Sequence, residues 1–208
     1  MDRRKLIRKI LVYAIYILLL SSLQVSYPGN FGFAGQTADL TFVFVVLTGY
    51  FHGFADGAVV GIIMGLIRDC LAPIAVVGID GTVHVTAGIG MLVMFLAGAV
   101  SSSFFTKRMH RNVPFAFVSI AFTTLLYKIM GHFLAYSWTF IAPAAGSYNL
   151  GFYEIVVRSC LLQTLLNLIA GLPLLFLLRF AGPVSLSERR NTSDDMIKNN
   201  EDNSWLQI

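Results

Sequence analysis

The sequence predicts an all-α membrane protein: a six-transmembrane-helix bundle with both termini cytoplasmic (N-in/C-in) and a short helical hairpin made by spans two and three. Three observations predict it. Apolar residues make up 56% of the 208 and charged residues only 12%, with a mean hydropathy of +0.73, outside the balance of soluble domains. The apolar residues gather into six stretches, most of them near the roughly 20 residues that a helix needs to cross a bilayer. The basic residues fall almost entirely beside those stretches, in every second flanking segment, which accounts for the net charge of +4 through orientation and anionic lipid, with no need for nucleic acid.

Span one covers about residues 10–27 and follows the basic run Arg3, Arg4, Lys5, Arg8 and Lys9. Its long apolar core lacks a small-x-small cleavage site before Pro28, so it reads as a retained anchor and not a secretory signal. The turn-rich YPGNFGFAGQ ends it. Spans two (about 38–54) and three (about 57–72) are short and joined by a tight turn around residues 53–56. They read as a helical hairpin whose backbone breaks near glycine are shielded by neighbouring helices. Pro73 and the polar GIDGT lead into span four, about 82–105, which TKRMHRN closes. Span five covers about 113–136 and span six about 152–180, with Gly171 and Pro173 marking a place for a kink. Residues 1–182 thus form one transmembrane domain. The polar, charged residues 183–208 read as a disordered cytoplasmic tail.

With the N-terminus in the cytoplasm, five Lys/Arg precede span one, three separate spans four and five, and four lie from Arg179 onward. Those twelve of the fifteen are all cytoplasmic, the external segments carry none, and the other three (Arg68, Lys128, Arg158) lie within spans.

Gly53, Gly57, Gly61 and Gly65 recur every fourth residue and Asp69 takes the next place. On a 3.6-residue helix this makes a slowly winding groove that admits another helix closely, either within the bundle or from a partner protein. Arg68 and Asp69 are about 100° apart around the helix and therefore do not form a simple intrahelical pair. They either reach headgroup level or join an outward-facing polar cluster. Asp39, Asp80, His84, Glu154 and Arg158 lie near the same external ends, which suggests a shallow external cavity or a protein interface. Glu154 and Arg158, spaced i, i+4 with the acid first, suit a helical ion pair. Lys128 stands near the middle of span five, where it calls for a buried acceptor or a backbone carbonyl. His52 and Asp56 sit at the cytoplasmic turn, close to water.

Cys70 and Cys160 fit no metal or disulfide spacing. No GxSxG, HExxH, Walker lysine loop or paired acidic motif for Mg²⁺ occurs, and the histidines are scattered singly, so the chain reads as non-enzymatic with no cofactor or metal.

ADLTFVFVVLTGYFHGFADGAVVGIIMGLIRDCL, residues 38–71, has an Asp-Leu opening of a short hairpin and glycines at four-residue steps running into Asp69. In this the chain resembles the rod shape-determining protein MreD family, with Ala38 standing where family members usually carry proline. The resemblance implies a multi-pass protein of the bacterial cytoplasmic membrane that serves the peptidoglycan elongation machinery without chemistry of its own. Its implied partners are an MreC-like bitopic protein, an MreB-like filament, a peptidoglycan glycosyltransferase and transpeptidase, and membrane lipid. On that reading Gly57, Gly61, Gly65, Asp39, Arg68 and Asp69 are candidate partner contacts, and Lys128, Glu154 and Arg158 a candidate intramembrane polar network. The chain is also distantly similar to the substrate-binding S-components of energy-coupling-factor vitamin transporters, the rival reading. Those subunits usually carry AxxxA on their first helix, where this chain has Ala14 alone in LVYAIYILLLSS.

Overall fold

The computed structural model describes residues 3–26, 33, 36–71, 74–77, 83–86, 88–105, 113–141 and 154–182. Helix α1 runs Arg3–Ser26, α2 Leu40–His52, α3 Phe54–Leu71, α4 Ile89–Phe105, α5 Val113–Ile141 and α6 Leu162–Phe180. A π-helical segment, Glu154–Leu161, leads into α6. Strands β1 (Ile74–Val77) and β2 (Val83–Thr86) pair antiparallel between α3 and α4, in register Ile74↔Thr86 to Val77↔Val83.

Three of these elements are long and apolar enough to cross a membrane: Arg3–Ser26, Val113–Met130 within α5, and Ile155–Phe180. The shorter α2 is apolar on every side, as a helix enclosed by others must be. Thr41 through Tyr50 are all buried, and Phe42 through Leu47 have no exposure at all. Around it pack α3, α4, α5, α6 and α1. The outer faces of those helices are apolar too: Ile10, Leu18, Leu66, Leu172 and Phe176 are exposed. A chain that is apolar both inside and outside has the surface expected against hydrocarbon.

The hairpin of α2 and α3 turns on one residue. Gly53 has φ 94°, where a Cβ is strained, and its N–H donates to Gly49 O at 3.0 Å while its carbonyl accepts from Gly57 N at 3.0 Å. The turn is thus tighter than the residues 53–56 expected for it, because glycine alone supplies the reversal.

Several boundaries differ from the sequence expectation. Span four was expected from Thr82, but Val83–Thr86 is extended and the helix begins at Ile89. Valine and threonine favour strand geometry, and Gly88, with φ 96°, breaks the chain direction before α4. Span six is helical from Glu154, yet its first eight residues are π-helical. Pro173 lies within α6, which is helical on both sides of it, and α5 continues to Ile141, past the expected end. The tail 183–208, Asp80 and the basic residues of 106–112 lie outside the described residues.

Candidate functional site

The glycine steps of α3 meet α4. A Cβ at Gly61 would stand 2.5 Å from Met94 O, and one at Gly65 would stand 2.6 Å from Gly90 O. At Gly57 it would stand 2.6 Å from Gly49 Cα of α2 and 2.9 Å from Gly98 O of α4. Backbones approach this closely only where the α3 residue facing α4 carries no side chain. The groove is therefore filled by α4 of the same chain, and the α3–α4 contact is the most extensive among the described residues. A docking role for Gly57, Gly61 and Gly65 would require α4 to leave.

Asp69 completes that seam. It is 8% exposed, and its carboxylate accepts from Gly88 N (2.8 Å), Gly90 N (3.0 Å) and Met91 N (3.2 Å). These are N–H groups that the first turn of α4 leaves without intrahelical partners, so Asp69 caps α4 from the end of α3 and meets the positive end of its dipole.

Arg68, one residue earlier and on another face, turns to α2. Its Nη1 donates to Asp39 Oδ2 at 2.7 Å. Asp39 is the N-cap of α2: Oδ1 accepts from Phe42 N at 2.9 Å and from the Thr41 hydroxyl at 2.8 Å. One carboxylate thus starts the buried helix and clamps α3 to it.

Around this cap lies an amide network. Asn167 Oδ1 accepts from Asp39 N (2.9 Å) and from Gln163 Nε2 (3.1 Å), and Asn167 Nδ2 donates to the Thr124 hydroxyl at 3.1 Å. Gln163 Nε2 also donates to Thr37 O at 2.7 Å. Gln24 of α1 accepts from Leu40 N at 2.8 Å and donates to Ala38 O at 3.3 Å. Four helices thereby hold the entry to α2, and the half-buried backbone groups of residues 37–40 find side-chain partners where hydrocarbon would offer none.

The network encloses a cavity of about 120 Å³ with a polar lining that includes Gln24, Asp39, Arg68, Tyr127 and Lys128. Lys128 Nζ lies 5.9 Å from the Tyr127 ring centroid, at the edge of cation–π range. The structure therefore brings Asp39, Arg68 and Lys128 to one cavity, while Asp69 belongs to the neighbouring α3–α4 seam. Glu154 and Arg158 lie on the π segment, their side chains outside the described residues; His84 lies on β2. His132 Nε2 and Ser159 Oγ are 2.9 Å apart and join α5 to the π segment.

At the opposite end, Lys9 Nζ meets Asp56 at 2.7 Å and the Tyr13 hydroxyl donates to the same carboxylate at 3.0 Å. The Tyr13 ring stands edge-on to His52 at 6.1 Å. Asp56, read from the sequence as merely close to water, ties α1 to the hairpin turn. Tyr16 of α1 does the same for α6, its hydroxyl donating to Leu177 O at 3.1 Å.

Sequence reasoning missed Gln24, Gln163 and Asn167. Gln163 and Asn167 carried a signal: two amides four residues apart in an otherwise apolar helix share one face and must find partners inside a bundle. Among the described residues no cluster of three or more His, Cys, Asp or Glu is placed to hold a metal. Set against family models, curated proteins and solved structures, the chain matches none of them.

Proposed function

We propose that this chain is a non-catalytic component of the bacterial cell-wall elongation machinery in the cytoplasmic membrane, a scaffold for an MreC-like bitopic protein, an MreB-like filament and the wall-synthesising glycosyltransferase and transpeptidase. The observation that carries the reading is the segment 38–71. The residues that resemble the MreD family are those on which this fold depends: Asp39 caps the buried helix, Arg68 clamps it, Asp69 caps α4, and Gly57, Gly61 and Gly65 admit α4. In this reading six helices cross the membrane, N-in and C-in, with the short α2, α3 and α4 crossing as one tightly packed unit. The distribution of Lys and Arg supports that orientation. The scaffold acts by raising the effective concentration of its partners, without chemistry of its own.

A second reading, the S-component of a vitamin transporter, is favoured by one observation, the polar cavity beside Asp39. Depletion of the protein in its native bacterium separates the two. The scaffold reading expects rod-shaped cells to widen and round while vitamin uptake is unchanged. Normal shape with impaired uptake of one vitamin would replace it with the transporter reading.

A further inference from the structure

The polar cavity does not end at its polar wall. Beside it, sharing Gln24, Asp39 and Arg68, lies a groove of about 280 Å³ between α1 and α3. The groove is lined by apolar side chains, among them Val25, Met64, Ile67 and Leu71. Val25 and Leu71 are each 55% exposed, so the groove opens sideways onto the apolar exterior of the bundle.

The charges of the polar compartment do not balance among the described residues that line it. Arg68 and Lys128 face it with Asp39 as the sole carboxylate. Asp39 is already committed, one oxygen to the start of α2 and the other to Arg68. Lys128 feels the charge of Asp39 across the cavity, but among the described residues no direct ion pair reaches it, and its Nζ stands over the Tyr127 ring. A cation within an apolar bundle calls for a counter-charge. Arg68 also has donors to spare, since a guanidinium carries five N–H groups.

An occupant that satisfies both compartments has an anionic head able to take hydrogen bonds from Lys128 and Arg68 and an apolar chain that lies in the groove. We propose that the cavity and groove together bind one anionic, phosphate-headed membrane lipid, the headgroup against Lys128 and Arg68 and the chain between α1 and α3. The inference rests on the reading of the chain as membrane-embedded. In the N-in orientation the site lies toward the external end of α1 and α3 and draws on the outer leaflet. A diacyl phospholipid and a polyprenyl phosphate share this chemistry.

The test is native mass spectrometry of the full-length protein, purified in neutral detergent and offered equal amounts of phosphatidylglycerol, undecaprenyl phosphate and phosphatidylcholine. At least one of the two anionic lipids is expected to be retained about tenfold over phosphatidylcholine, the scale of one charge-assisted hydrogen bond, and which of them dominates identifies the chain type. Lys128→Gln is expected to reduce that retention about tenfold, and Lys128→Arg to preserve it. Ile67→Trp, which fills the groove and leaves every charge in place, is expected to reduce it as well and serves if Lys128→Gln does not fold. Equal retention of phosphatidylcholine, or unchanged retention of the anionic lipids in either folded variant, overturns the proposal.

Discussion

Two neighbouring residues, Arg68 and Asp69, do different work because a helix turns about 100° between them. Asp69 accepts three backbone N–H bonds from the start of α4. Asp69→Asn keeps one oxygen but sets an amide donor against donors, so a loss of about 1–3 kcal/mol in thermal unfolding in detergent is expected. Asp69→Ala, with no acceptor left, is expected to lose more. Arg68 and Asp39 form a pair that also anchors a helix cap. In a double-mutant cycle, Arg68→Gln and Asp39→Asn together are expected to cost less than the sum of the single changes, by about 0.5–3 kcal/mol. Strict additivity would show that the 2.7 Å contact contributes nothing. Asp39→Ala should exceed Asp39→Asn by about 1 kcal/mol, the usual loss of an N-cap side chain.

The α3–α4 seam is the element whose packing has the least slack. In lipid the apolar effect does not draw helices together, so close backbone approach supplies much of their attraction. Gly61→Leu places a side chain where Met94 O now stands, and overpacking of this kind costs about 1–3 kcal/mol or more. Ile62→Leu, one residue away on a 39%-exposed face, is expected to leave the unfolding midpoint unchanged. A similar midpoint for both variants would remove the seam as a source of stability. Much of this element was legible in the residues: glycines at four-residue steps announce a close approach, though not which helix makes it. The partner was hidden because α4 lies beyond a β-hairpin, and the hairpin was hidden because Val83–Thr86 adjoins an apolar helix and shares its hydropathy. The π segment left no such mark, since its composition is that of any amphipathic helix. The capping of α4 by Asp69 was illegible for a different reason: the two meet only through the tertiary fold, 19 to 22 residues apart in sequence.

At the scale of the whole molecule, a buried apolar helix is enclosed by helices whose outward faces are also apolar, and polar contacts concentrate at two ends. At one end residues 38–40 gather α1 through Gln24, α3 through Arg68 and α6 through Asn167; at the other Asp56 gathers α1. Composition made the apolar bundle legible, and the positions of Lys and Arg predict an orientation, but the enclosure of α2 required the fold. The orientation predicts that reporter fusions at residue 182 and within 106–112 behave as cytoplasmic, and a fusion within 28–36 as external. The reverse pattern would invert the bundle and move the polar cavity to the inner leaflet.

The scaffold reading is tested most directly by affinity purification of the tagged protein from its native membrane in mild detergent, followed by mass spectrometry of what accompanies it. Recovery of an MreC-like bitopic protein together with wall-synthesising enzymes is expected. Recovery of transporter ATPases with a tightly bound vitamin, and of none of those proteins, would contradict it and make the cavity beside Asp39 a substrate site.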